Sequence, residues 1–175
     1  MKNVRKAAIG MSVAAIAMLG TAAAATAGAE VSRNVSVLGR AEIDTHDPAS
    51  VFDISVHAWG NGHSGKGVIW MSHHYAEQVG WLVARVDCVR SEGPLGIVTA
   101  VVADAQDFAG ITPRDPINLT VRDNGTKDSL AFASGEQVKR CHRSRTREHE
   151  IARGDFQMSV QPRRPRSVQK LREAE

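Results

Sequence analysis

From Val35 to about Val160 apolar side chains recur at every second position far more often than at helical spacing, and clusters of Gly, Asn, Asp and Pro cut the pattern into short runs. A chain patterned this way builds strands. Val35, Val37, Ala41 and Ile43 alternate with Ser36, Leu38, Arg40 and Glu42; Phe52, Ile54, Val56 and Ala58 alternate with Asp53, Ser55, His57 and Trp59. The Gly-rich stretch from Gly60 to Gly67 turns the chain into Val68–Ser72, which predicts a hairpin with a long loop. Leu82, Ala84, Val86 and Cys88 form the next core-facing set, so Cys88 is expected to point inward. Ile97 to Ala103 is apolar enough to be covered on both faces, and Ile117, Leu119 and Val121 alternate cleanly before the Asp123-Asn124-Gly125 turn. Ser129–Ala133 and Phe156–Val160 are the last strand candidates, and helical signal is confined to a turn near Tyr75–Val79 and to Val168–Glu175. Seven or eight short strands with hairpin connections predict an all-β fold, either an antiparallel sandwich or a barrel.

Compartment follows from the first residues. Met1 to Lys6 are basic, Ala7 to Gly20 are apolar, and Thr21 to Ala29 are small residues ending Ala27-Gly28-Ala29. That is the pattern of a secretory signal peptide over 1–29, with an apolar part too short to span a bilayer comfortably. The formal net charge of +3 belongs to this leader, because Lys2, Arg5 and Lys6 are its only charged residues. The rest is neutral and long enough for one core, giving a β-rich domain over 30–160 and an Arg-rich tail over 161–175. The two cysteines, Cys88 and Cys141, are expected to form one disulfide in an exported chain. In the chain-entropy account a loop of that size adds roughly 4 kcal/mol to stability.

Neutrality hides an asymmetry. Residues 30–138 carry 8 basic and 14 acidic side chains, whereas 139–175 carry 11 basic and 5 acidic. The basic part holds Lys139, Arg140, Arg143, Arg145 and Arg147, then Arg163, Arg164 and Arg166, with almost no aromatic residue between them. A solvated segment lying against its own acidic domain accounts for this. Attraction to an anionic envelope polymer or lipid surface is the functional alternative, with Arg163, Arg164 and Arg166 as contacts, and it would weaken with salt. Specific nucleic-acid binding is not expected.

The order Val86-Asp87-Cys88-Val89, a turn at Gly93, the apolar strand 97–103, Val121-Arg122-Asp123-Asn124-Gly125, a second Cys and Gly154-Asp155-Phe156-Gln157-Met158-Ser159-Val160 resembles a group of secreted actinobacterial β-rich proteins. The likeness covers roughly residues 34–160. It implies an exported β domain and no particular substrate. The Arg-rich extension and His63, His73 and His74 depart from that pattern.

Several motifs are better explained by structure than by chemistry. Gly60-Asn61-Gly62-His63-Ser64-Gly65-Lys66-Gly67 approaches a phosphate-binding loop, but Gly67 stands where a hydroxyl must reach the metal, and a strand follows in place of a helix. Gly62-His63-Ser64-Gly65 does not make a nucleophile elbow. Arg153-Gly154-Asp155 is a chance match to an adhesion tripeptide. Of the 7 histidines, His46, His57, His63, His73 and His74 fall in one hairpin and its approach. If its loop centres near His63, Asp53 lies across from His73, and with His57 the three form a candidate metal or acid–base set. A shift of one residue would undo it. The sequence therefore predicts an exported binding or cell-surface module without a catalytic residue or cofactor. A metal-assisted hydrolase using Asp53, His57 and His73, or a small-ligand carrier, is the alternative.

Overall fold

The structure, a computed structural model, describes residues 33–162 apart from positions 44, 48 and 126. The predicted leader, the predicted C-terminal helix and Arg163, Arg164 and Arg166 lie outside the described residues. Eight antiparallel strands follow one another around a closed barrel: β1 (Arg33–Ile43), β2 (Ser50–Gly60), β3 (Gly65–Tyr75), β4 (Gln78–Glu92), β5 (Leu95–Gln106), β6 (Pro116–Arg122), β7 (Ser129–Ser134) and β8 (Glu148–Pro162). Of the two architectures the alternation allows, the barrel is the one formed. Closure joins the first strand to the last, because β1 pairs with β8 from Arg33↔Pro162 to Ile43↔Ile151, while the β7–β8 seam is short, Ser129–Ala131 against Glu148–Glu150. At this seam the backbones approach so closely that a Cβ on Gly154 (φ +88°) would sit 2.1 Å from the Arg40 carbonyl oxygen. One on Gly39 (φ +152°) would meet the Asp155 carbonyl oxygen at 2.2 Å.

The alternating residues fill the barrel. Val37, Ile54, Val56, Ile69, Met71, Leu82, Val98, Ile117, Leu119, Leu130 and Phe156 are buried in one continuous apolar cluster. Each such side chain contributes about 1.5–3 kcal/mol relative to exposure. One end is plugged by Phe108 from the β5–β6 loop, which meets Phe52 edge-on with ring centroids 6.1 Å apart. An apolar interior under an outer wall bearing Arg40, Asp53, Arg85 and Asp104 is the reverse of a membrane-spanning barrel, whose lumen is polar. Among the described residues no helix is long and apolar enough to cross a membrane.

Three local expectations change. Tyr75–Val79 is not a helical turn: Tyr75 pairs with Gln78 across a tight Ala76-Glu77 turn, with Ala76 at φ +50°. Strand β8 begins well before Phe156, because its first half is held by backbone pairing to β7 and β1 and faces solvent, which erases the apolar alternation. Cys88 points outward. A β-bulge between Val86 and Cys88 sets Asp87 and Cys88 together opposite Thr99, so the phase reverses and Val89, paired with Val98, takes the core position.

Candidate binding face

The outer wall is built in two contrasting ways. Beyond β7 a short 3-10 turn, Gly135–Gln137, starts a segment that runs to Arg147 and crosses the outside of β6, β5 and β4. Its contacts are polar and specific. Asn118 Nδ2 donates to the His142 carbonyl at 2.7 Å, Ser144 N–H to Thr120 Oγ1 at 2.9 Å, and Cys141 N–H to Thr99 Oγ1 at 3.4 Å. Thr99 donates in turn to the Asp87 carboxylate, and Arg140 donates to the Asp87 carbonyl at 2.9 Å and pairs with its side chain at 3.4 Å. The Cys88–Cys141 disulfide ends the crossing, with Cα atoms 5.5 Å apart. Outward Thr99, Asn118 and Thr120 are thereby buried with their polar groups satisfied, and Ile97 is buried from outside, so the strand expected to be covered on both faces over 97–103 is so covered only from Ile97 to Ala100; Val101 and Ala103 face solvent beyond the strap.

Part of the basic sequence is therefore a fixed strap and not a loose segment. Arg140 is spent on Asp87. At the strap's end Arg122 grips Glu148 with Nε and Nη2 at 3.0 and 2.7 Å, and Ser129 donates to the same carboxylate at 2.8 Å. The Arg122 guanidinium, and after it the Ser129 hydroxyl, hold the Glu148 carboxyl down to about 2. Lys139, Arg145 and Arg147 stay exposed.

The candidate metal or acid–base set does not assemble. The loop between β2 and β3 is Asn61–Ser64, closed by Gly60↔Gly65, so Asp53 pairs with Ser72 and His73 with Phe52. That is one residue away from the pairing the sequence suggested, and one residue moves a side chain to the other face. Asp53 lies on the outer wall, where its carboxylate accepts from Arg40 Nε at 3.1 Å. His57 is on the same face of β2, four residues or roughly 13 Å along the strand. His73 shares the inner phase of Ile69 and Met71, stacks on Phe52 with centroids 3.8 Å apart, and bonds Ser50 Oγ through Nε2 at 3.0 Å. Burial, and then the neighbouring His74, push its pKa below the usual imidazole value. Among the described residues no group of three His, Cys, Asp or Glu side chains could hold a metal ion.

What the outer wall of β2, β3 and β4 does present is every tryptophan of the chain. Trp59, Trp70 and Trp81 all occupy outward positions, one per strand, while Phe108 and Phe156 are buried and Phe52 and Phe132 pack against the core. Trp59 and Trp70 are 44% and 49% exposed, a costly way to use the largest apolar side chain unless something covers it. Trp70 and Trp81 stack, with centroids 5.7 Å apart and planes 8° from parallel, and Val68, 41% exposed, extends the apolar stripe between Trp70 and the β2–β3 loop. The alternation already put Trp59 in the polar phase of its strand. The Leu82, Ala84, Val86 alternation likewise puts Trp81 outside, whereas Trp70 faces outward only in the observed register, since an Asp53–His73 pairing would turn it inward.

The cavities agree with this division. One of about 730 Å³ opens beside Trp59, between the outer faces of β8, β1, β2 and β3. Another, of about 690 Å³, lies along the strap by Glu92, Glu136, Arg143 and Arg145. No protein-family model, curated protein sequence or solved structure matches this chain, so its own geometry carries the functional argument.

Proposed function

We propose that this chain is an exported, non-enzymatic β-barrel domain that binds an anionic glycan polymer of the cell envelope. The observation that carries the reading is the placement of all three tryptophans on the outer wall of β2, β3 and β4, beside the β4–β6 wall that the chain covers with its own strap. Flat indole faces exposed beside hydroxyl and amide side chains suit sugar rings, which present C–H groups on one side and hydroxyls at the rim. Exposed Lys139, Arg145 and Arg147 suit the negative charge of such a polymer. The leader pattern and the disulfide support export, and the resemblance to secreted actinobacterial proteins points to an envelope setting. A hydrolase built on Asp53, His57 and His73 is disfavoured because those side chains lie on two faces of the wall.

Co-sedimentation with purified peptidoglycan sacculi tests the proposal. The wild-type domain pellets with sacculi, and a folded Trp59→Ala, Trp70→Ala, Trp81→Ala variant stays in the supernatant. Wild type that stays in the supernatant, or a triple variant that pellets equally, overturns it.

A further inference from the structure

The groove beside Trp59 has a more specific composition than the rest of the wall. Backbone pairing sets Ser159, Ser36, Trp59 and Lys66 in one lateral row across β8, β1, β2 and β3, through Ser36↔Ser159, Ser36↔Trp59 and Trp59↔Lys66. At a strand spacing near 4.8 Å the row spans roughly 14 Å, a length suited to a short run of sugar units. Asn34 and Gln161, paired two residues further along, form the next row on the same face. All six side chains line the groove, and apart from half-buried Ser36 they are exposed.

Each residue type has a use toward a pyranose. The indole offers a flat apolar face. The two hydroxyls and two amides both donate and accept hydrogen bonds, as ring hydroxyls and acetamido groups require. Lys66 is the only charged residue lining the groove, and it has no ion-pair partner among the described residues. A cation left unopposed in a cleft of neutral polar groups favours a ligand carrying one acidic substituent.

We infer that the Ser159–Ser36–Trp59–Lys66 row is a glycan subsite in which one pyranose ring stacks on Trp59 and an acidic substituent of the same chain reaches Lys66. The inference rests on the envelope-glycan reading above and narrows it to one place and one charge pattern. The groove adjoins both ends of the described chain, so a variant ending at Pro162 is included to separate the subsite from the Arg-rich tail.

Two probes of equal length separate the ring from the charge: peptide-free glycan strands from sacculi, whose alternate sugars carry a lactyl carboxylate, and a chitooligosaccharide, which lacks it. Titration calorimetry on the full mature chain should show tighter binding of the acidic strand. Trp59→Ala should weaken both ligands at least tenfold. Lys66→Met should weaken the acidic strand severalfold, leave the chitooligosaccharide unchanged, and abolish the preference. The chain ending at Pro162 should retain that preference. Far-ultraviolet circular dichroism checks that each variant is folded, and Lys66→Met, at an exposed position, keeps the test open if Trp59→Ala does not fold. Binding lost in Trp70→Ala, Trp81→Ala but intact in Trp59→Ala and Lys66→Met would overturn the subsite while leaving the tryptophan wall standing. No binding of either probe by a domain that still pellets with sacculi would also overturn the subsite alone. Loss of both the probe and sacculus interactions would remove both readings.

Discussion

The two sides of this barrel share one inner wall and differ on the outside. Over β4 to β6 the strap supplies a partner for each buried outward polar group and a covalent anchor at Cys88–Cys141. Over β2 and β3 nothing within the described residues covers Trp59, Val68 or Trp70. The chain therefore has a device for covering its outer wall, and among the described residues it applies that device to threonine, asparagine and aspartate while leaving about half the surface of Trp59 and Trp70 exposed. The contrast predicts that the strapped side contributes more to stability than the bare one, which is the proposed binding wall.

The largest effect should come from cutting the anchor. Cys88→Ala with Cys141→Ala should lower the unfolding free energy by about 4 kcal/mol in urea titration. Amide exchange should rise first across 138–147, with the barrel strands following only at global unfolding. A uniform rise would mean that the strap and the barrel wall are one cooperative unit and that the contrast between the sides is not energetic. Next, Asn118→Ala removes the donor to the His142 carbonyl and the acceptor for Thr120, and should cost about 1–3 kcal/mol. On the bare side Trp70→Ala loses the stack on Trp81 and should cost about 1 kcal/mol, whereas Trp59→Ala should change stability by no more than about 0.5 kcal/mol. A Trp59 variant as damaging as Asn118→Ala would show that this wall is structural.

The smallest effect is electrostatic. Because Arg122 and Ser129 depress the Glu148 pKa from 4.5 to about 2, the folded state gains from the ionised carboxylate above the unfolded value and loses that gain as pH falls from about 4.5 toward 2. Both partners are well exposed, so solvent screening keeps the contribution modest. Glu148→Gln should flatten this part of the stability–pH curve and leave the curve above it unchanged. An unchanged slope would mean that the pair is not maintained in solution.

How much of this was legible in the residue order depends on whether the signal was local. Alternation is local, so most strands, a hairpin turn within Gly60–Gly67 and the Asp123–Gly125 turn are legible, whereas the loop's true bounds, Asn61–Ser64, and the solvent-facing first half of β8 are not. Barrel closure could not be separated from a sandwich, because the pairing of β1 with β8 joins residues more than a hundred positions apart and leaves no pattern in either strand alone. The bulge at Asp87 is invisible for the same reason: it is defined by the pairing of Val86 with Ala100 and Cys88 with Thr99, and the apolar set Leu82, Ala84, Val86 continues smoothly into Cys88 in the sequence. Hairpin register is not fixed by the alternation, and one residue separates the Asp53–His73 pairing the sequence suggests from the observed Asp53↔Ser72, which parts the two side chains. The tryptophan wall was the opposite case. Trp59 stands in the polar phase of a clean local alternation, and Trp81 in that of β4.

The most direct test of the bare wall is acrylamide quenching of intrinsic tryptophan fluorescence, measured on the native mature domain with and without sacculus-derived glycan strands. With Trp59 44% and Trp70 49% exposed, native emission should be red-shifted from that of buried indole and readily quenched, though less than in the unfolded protein, and addition of the glycan should shift it to the blue and protect it. Blue-shifted emission that resists quenching before any ligand is added would place the indoles under cover and contradict the account.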